Sequence, residues 1–166
     1  LEIRTHAVIV LGDDATGSAY RALLAQEALP ATFVTCPGTT RSNVTILDTG
    51  TGQETHIIEK STGLTQAEVD RVADAVHARA GEGDFVIFAG SLQDGSPADS
   101  YAQIMRRVRE NGAMIVLSVT SESTAQGIEA GPDLLATSQV ELEGYFNYPV
   151  RVQEDLLYGV RGLLQK

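Results

Sequence analysis

One cysteine, Cys36, stands among 166 residues, which excludes a disulfide framework, a CxxC redox pair and a cysteine-built zinc cluster. Cations are scarce too: twelve Lys and Arg lie scattered among twenty-two Asp and Glu, for a formal charge of −10. No nucleic acid partner is expected, because its recognition needs gathered cations to displace counterions from phosphates. The same negative excess slows encounter with anionic substrates unless a local cluster reverses the field. No apolar run approaches a bilayer's thickness, so no membrane partner is expected either. The opening Leu1-Glu2-Ile3-Arg4 lacks an initiator methionine and the basic stretch and apolar core of a secretory signal, and reads as cytoplasmic. What is present, 43% hydrophobic and 20% charged residues, is the make-up of one globular domain with a core of ordinary size. The close on Leu163-Leu164-Gln165-Lys166, inside an amphipathic pattern, suggests a portion of a longer chain.

The run Ala7-Val8-Ile9-Val10-Leu11 reads as a strand buried on both faces. The turn Gly12-Asp13-Asp14-Ala15-Thr16-Gly17 leads into a helix marked by Tyr20, Leu23 and Leu24 and closed by Pro30. Shorter strands are expected over 32–35, 43–47 and 55–59, with the alternation of a partly exposed antiparallel sheet. Asp48-Thr49-Gly50-Thr51-Gly52 supplies the hairpin turn between the last two. From Thr65 the pattern becomes strand–helix alternation. Thr65 and Glu68 form a capping box before a face of Val69, Val72, Ala73 and Val76. Phe85–Phe88 reads as a buried strand, and Ser96-Pro97 as the cap and first position of a helix carrying Tyr101, Ile104, Met105 and Val108. Asn111-Gly112 ends that helix. A strand over Met114–Leu117, a short one at Leu134-Leu135, a brief helix with Val140 and Leu142, and a final helix lined by Val152, Leu156, Leu157, Val160 and Leu164 complete the pattern. Strands joined by helical crossovers imply α/β, with a mostly parallel sheet covered on both sides and an antiparallel β flap.

Three segments resemble the ribokinase-like (PfkB) carbohydrate kinases, nearest the branch of 1-phosphofructokinases and tagatose-6-phosphate kinases. Gly38-Thr39-Thr40-Arg41-Ser42-Asn43-Val44-Thr45-Ile46 resembles that family's G-x-T-R-x-N strand. Gly90-Ser91-Leu92-Gln93-Asp94-Gly95-Ser96-Pro97-Ala98-Asp99-Ser100-Tyr101 is similar to G-S-L-P-x-G-x-P-x-D-x-Y. Pro132-Asp133-Leu134-Leu135 with Glu141-Leu142 sits where the family has P-x-L-I-K-P-N-x-x-E-L. The resemblance implies a ribokinase-like three-layer α/β/α sandwich, incomplete over 1–166, with residues 32–60 as the β-lid portion. It implies ATP and Mg²⁺ as cofactors, and a carboxylate base in a G-A-G-D turn at a helix N-terminus, where N–H donors face developing negative charge.

The family's upstream G-G-K-G-x-N and downstream G-A-G-D motifs are not found in this sequence, so no catalytic residue is assigned. Gly81-Glu82-Gly83-Asp84 has similar letters but follows a helix and enters a strand, so it is a turn and Asp84 is not the base. The family's strand-end aspartate is replaced within Leu117-Ser118-Val119-Thr120-Ser121, and its K-P-N-x-x-E by Ala136-Thr137-Ser138-Gln139-Val140-Glu141. Of that nucleotide and metal network only Glu141 remains, which counts against ATP and Mg²⁺ binding by this chain; no metal-ligating set is assigned.

The expected substrate-binding residues are Arg41, Asn43 and Ser91. Arg41 and Asn43, two apart on a strand, point the same way, and a guanidinium matches a phosphate's oxygens. The plainer reading is a surface arginine on an exposed strand. Ser91 follows a strand's carboxyl end, where α/β sheets place ligands, although a loop serine also satisfies its own backbone. Glu141 near a helix start could order a metal-bound water or simply complement the dipole. Asp13 and Asp14 resemble the family's G-x-D-x-x-G turn and read as structural. His6, His56 and His77 have no ligand spacing, Cys36 has no evident base partner, and the sequon Asn43-Val44-Thr45 reads as chance. Two functions follow as expectations. One is a portion of an ATP-dependent sugar-phosphate kinase acting on a phosphorylated hexose such as fructose 1-phosphate or tagatose 6-phosphate, inactive as this chain. The other is a non-catalytic kinase-like domain binding a sugar phosphate or a partner protein. A homodimer through the β lid or open sheet edges accompanies either.

Overall fold

A computed structural model describes residues 3–60, 62–118 and 124–164. Leu1-Glu2, Val119-Thr120-Ser121 and Gln165-Lys166, all singled out above, lie outside the described residues, as does the side chain of Leu164. The chain divides into two compact units, one of residues 1–64 with 93–95 and the other of 65–92 with 96–166.

The first unit begins with β1 (Ala7–Gly12) and α1 (Ala15–Gln26), then β2 (Ala31–Cys36), which pairs parallel to β1 from Ala7↔Ala31 to Gly12↔Cys36. The strand expected over 32–35 therefore joins a parallel pair, and antiparallel pairing starts only at Asn43. The reason is the crossover: α1 carries the chain back to the start of β1, and a helical return makes neighbouring strands parallel. The run at Ala7–Leu11 is half-buried rather than sealed on both faces, with only Leu11 fully enclosed. The hairpin β3 (Asn43–Leu47) and β4 (Glu54–Ile58) follows, in register Asn43↔Ile58 through Leu47↔Glu54. Its turn is held by the Asp48 carboxylate, which accepts from the Gly50 and Thr51 amides. The Thr51 hydroxyl, then those amides, hold that carboxyl below its ordinary range.

In the second unit α2 (Gln66–His77) opens on the expected capping box. Thr65 N–H and O–H donate to Glu68 Oε2 at 2.7 and 2.8 Å, and Glu68 N–H returns to Thr65 Oγ1. Strand β5 (Phe85–Ala89) precedes α3 (Ser100–Arg109), which starts four residues after the Ser96 expected as its cap. Residues 97–100 instead form a turn in which Ser100 N–H and O–H both donate to the Pro97 carbonyl. Then come β6 (Met114–Ser118), α4 (Thr124–Glu129), β7 (Leu134–Leu135), α5 (Gln139–Phe146) and α6 (Gln153–Leu164). Helix α4 carries too short a pattern to be anticipated from sequence.

Strands β5, β6 and β7 form one parallel sheet, with Phe85↔Met114, Phe88↔Leu117 and Leu117↔Leu135 in register. Helices α3 and α4 cover one face, on which Phe88, Ile115 and Leu117 are buried, and α2 packs against α3. The opposite face carries Phe85, Ile87, Met114 and Leu134, all exposed. This corrects the expectation of a strand and sheet buried on both sides. The uniformly apolar run is what a doubly covered parallel strand requires, and among the described residues of the second unit this second face stays open. Likewise Val140 is exposed on α5 while Leu142 is buried, and the stripe of Leu156, Leu157 and Val160 on α6 stays partly open.

Candidate substrate site

The turn between β1 and α1 builds the first unit's polar centre. Asp14 caps α1, its Oδ1 accepting from the Gly17 amide at 2.9 Å and from the Thr40 hydroxyl at 2.8 Å, while Oδ2 accepts from the Thr40 amide at 3.2 Å. The Gly12 amide donates in turn to Thr40 Oγ1 at 2.9 Å, and Asp13 Oδ1 accepts from the Gly38 amide at 3.0 Å. Hydrogen bonding from Gly17, then Thr40, holds the Asp14 carboxyl below its ordinary value of 3.8. A depressed carboxyl pKa means that these bonds are complete above that range and are lost on acidification through it.

A cleft of about 470 Å³ opens beside this turn, lined by the end of β1, by Thr16 and Tyr20 of α1, and by Cys36 to Asn43, with Thr62 and Gln93 completing it. That volume falls in the roughly 300–1,000 Å³ range of small-molecule sites. Arg41 and Asn43 both line it. They do not share a strand, since β3 begins at Asn43. The Thr40 amide goes to the Asp14 carboxylate and the Ser42 amide to Glu59 Oε2 at 2.9 Å, so side-chain acceptors hold Arg41 in a loop just before the ladder. Cys36, 7% exposed, is the buried end of β2 at this cleft. Thr40, Thr62 and Gln93 were not singled out from the sequence. Thr40 lies inside the G-T-T-R-S-N segment, and Gln93 replaces the proline of the G-S-L-P pattern, which are the signals that could have marked them.

Ser91 and Glu141 belong to the second unit. Ser91 is half-buried in the loop after β5, next to Gly90, whose carbonyl accepts from the Tyr101 hydroxyl at 3.1 Å. The Tyr101 ring meets Phe88 edge-on with centroids 5.8 Å apart, so the loop is tied back to α3. Glu141 is the third residue of α5, in a second capping box. Its Oε2 accepts from the Ser138 amide and, at 3.1 Å, from the Thr137 hydroxyl, and its amide donates to Ser138 Oγ. The Ser138 amide, as first cause, holds this carboxyl below the usual range. Asp84 accepts from the Gly81 amide and closes the turn between α2 and β5, so it is no base at a helix start.

A magnesium–nucleotide needs cations and carboxylates directed at phosphate. Ala136 brings no polar side chain, Ser138 and Glu141 are engaged with each other in the cap, and β6 ends on a serine, Ser118, rather than a carboxylate. Among the described residues no three His, Cys, Asp or Glu side chains gather as a metal site. The donor set of the described residues does not fit that group. A second, smaller cleft of about 260 Å³ lies between α5 and α6, lined by Phe146, Tyr148, Val150 and Tyr158. Its one carboxylate, Asp155, is taken by the Arg151 and Val152 amides, which with Arg151 first hold its pKa down.

Parallel strands joined by helices, with an antiparallel hairpin beside a polar β1–α1 turn, define the ribokinase-like α/β class. The chain belongs to the pfkB family of carbohydrate kinases, which it matches over residues 1–163. It is 28% identical over 145 residues to the 1-phosphofructokinase of Bacillus subtilis, covering 87% of this chain and 46% of that protein. It is 28% identical over 120 residues to a tagatose-6-phosphate kinase of Staphylococcus epidermidis, covering 71% of this chain and 38% of that one. A tetrameric inhibited form of phosphofructokinase-2 from Escherichia coli has the same fold, with a TM-score of 0.86 at 20% identity over 96% of this chain and 52% of its own. The chain thus spans about half the length of the proteins it matches, or less. Among the described residues no helix is long and apolar enough to cross a membrane.

Proposed function

We propose that this chain is the sugar-phosphate-binding portion of an ATP-dependent carbohydrate kinase of the cytoplasm. Its substrate is a phosphorylated hexose such as fructose 1-phosphate or tagatose 6-phosphate. The observation that carries this reading is the meeting of Arg41 and Asn43 on one cleft of about 470 Å³. A guanidinium grips phosphate oxygens bidentately, and the amide of Asn43 can donate to and accept from a sugar hydroxyl. Ser91 is the candidate on the second unit. With no base assigned in its sequence, the chain alone transfers no phosphoryl group.

The test is calorimetric titration of the 166-residue chain with fructose 1-phosphate, tagatose 6-phosphate and fructose. Phosphorylated sugars are expected to bind and fructose to bind weakly. Arg41→Ala should weaken the phosphorylated ligands about 10- to 100-fold, the scale of a lost hydrogen bond to a charged group, and leave fructose unchanged. Equal affinity of wild type and Arg41→Ala for the phosphorylated ligands would remove Arg41 from the site. The cap at Ser138 and Glu141 favours a second reading, a non-catalytic domain that binds sugar phosphate without nucleotide. Stabilisation by MgATP as well as by the sugar phosphate supports the kinase, and stabilisation by the sugar phosphate alone supports the binding domain.

A second copy of the chain is the proposed protein partner. Val44 and Ile46 on β3 and Ile57 on β4 share one face of the hairpin by register, each 52–56% exposed. An apolar strip of this kind is hidden by pairing with its own copy. Light scattering is expected to report a dimer that Ile57→Lys returns to a monomer. A wild-type chain monomeric at all concentrations would rule this interface out.

A further inference from the structure

We infer that Asp14 is a positioning residue that sets the rim of the sugar-phosphate cleft, acting on Arg41 through Thr40. This inference rests on the reading of the cleft given above. The Asp14 side chain bridges the start of α1 and Thr40, the residue just before Arg41, and Asp13 beside it ties the same turn to the loop at Gly38. One Asp14 oxygen takes the Gly17 amide and the Thr40 hydroxyl, and the other takes the Thr40 amide. Thr40 is gripped from a second side, because its Oγ1 also accepts from the Gly12 amide. The loop is therefore fixed at both ends of one residue, by a backbone donor of β1 and by a carboxylate of the helix cap. A helix cap alone needs one carboxylate oxygen. The second oxygen of Asp14 serves the loop.

The close backbone approach points the same way. A Cβ on Gly17 would lie 2.4 Å from the Gly12 carbonyl and 2.9 Å from Thr40 Oγ1, so the turn is packed around Thr40 with no room to spare. Arg41 leaves this anchored residue before any strand pairing begins, and the direction of its long side chain follows from how Thr40 is held. A phosphate-binding guanidinium loses affinity when its stem is free to swing, because ordering it on binding then costs entropy.

Asparagine separates the two duties of Asp14. Asp14→Asn keeps one carbonyl oxygen for the Gly17 amide and is itself a good N-cap. It sets an NH₂ group against the Thr40 amide, donor against donor. The helix start survives and the loop is released. Amide hydrogen exchange on the 166-residue chain reads this directly. In Asp14→Asn the Gly17 amide is expected to stay protected, while Thr40, Ser42 and Asn43 exchange faster. Fructose 1-phosphate affinity is expected to fall about tenfold, the scale of one lost charge-assisted hydrogen bond, with affinity for fructose unchanged. Thr40→Ser, which keeps the hydroxyl, should behave as wild type, and Thr40→Val should behave as Asp14→Asn. If Asp14 acts through Arg41, the double variant Asp14→Asn/Arg41→Ala binds no more weakly than Arg41→Ala alone.

Additive losses in that cycle, or unchanged exchange at Thr40 in Asp14→Asn, would overturn the inference. So would Thr40→Ser and Thr40→Val losing affinity alike. If the wild-type chain binds no phosphorylated hexose, the functional reading falls. Exchange at Thr40 to Asn43 then still decides whether Asp14 holds the rim.

Discussion

Alanine at position 12 is expected to collapse the first unit before the second. Gly12 ends β1, and a Cβ there would lie 2.3 Å from the Gly38 carbonyl oxygen, 2.7 Å from the Thr40 nitrogen and 2.8 Å from the Thr39 carbonyl carbon. All three neighbours are backbone, so no rotamer change relieves the overlap. The loop 38–40 must move away, and with it go the Gly12–Thr40 and Asp14–Thr40 hydrogen bonds that anchor Arg41. The expected loss is about 3 kcal/mol, the upper end of overpacking in a well-filled site. Urea unfolding followed by hydrogen exchange should show β1, β2 and the loop opening early while β5 and β6 keep their protection. Sugar-phosphate binding should vanish with them. Gly144→Ala is the control, because nothing lies within 4 Å of a Cβ at that exposed helical position, and it should be neutral or stabilising by up to about 1 kcal/mol. Equal midpoints for wild type and Gly12→Ala would show that the loop 38–40 does not pack against Gly12.

In the second unit the largest loss is expected from Leu117→Ala. Leu117 is fully buried in the middle strand, between Phe88 on β5 and Leu135 on β7. Helix α4 rests on it so closely that a Cβ on Gly127 would come 3.0 Å from Leu117 Cδ2. Removing the isobutyl group leaves a cavity between sheet and helix, and the penalty is about 3–4 kcal/mol. Ile87→Ala supplies the contrast. Its side chain is on the other face of the same sheet and 64% exposed, so truncating it should change stability by less than about 0.5 kcal/mol. The difference between the two variants in one denaturation series measures how one-sided the cover of this sheet is. Similar losses for both would mean that both faces are packed.

The elements were mostly readable because local chemistry is written in short patterns. Thr65 with Glu68 caps α2 as expected, Asp48 to Gly52 turns the hairpin, and the apolar stripe of Ile104, Met105 and Val108 is the buried face of α3. Each depends on groups within a few residues of one another, so no distant partner has to be known. The resemblance of the G-T-T-R-S-N segment was equally local. It placed Arg41 and Asn43, and both line the cleft.

Distant partners decided the rest. That β2 runs parallel to β1 depends on where α1 returns the chain, which the alternation of 32–35 does not encode. That Arg41 precedes the strand depends on Asp14, twenty-seven residues earlier in sequence, accepting the Thr40 amide in place of a ladder partner. The cap between Ser138 and Glu141 follows an S-x-x-E pattern as plain as that at Thr65, and it gives the helix-start reading of Glu141 its concrete form. Exposure of Phe85 and Ile87 was beyond any one-dimensional reading, since an apolar run states that a strand can be covered twice and never what covers it. By itself the sequence determined most of the local elements, the cap of α2, the hairpin turn and the family, because those rest on neighbouring residues and quoted motifs. Only the tertiary structure decided strand direction, the face left open and the clamp on Thr40, because each is set by groups far apart in the chain that meet through backbone hydrogen bonds and packing.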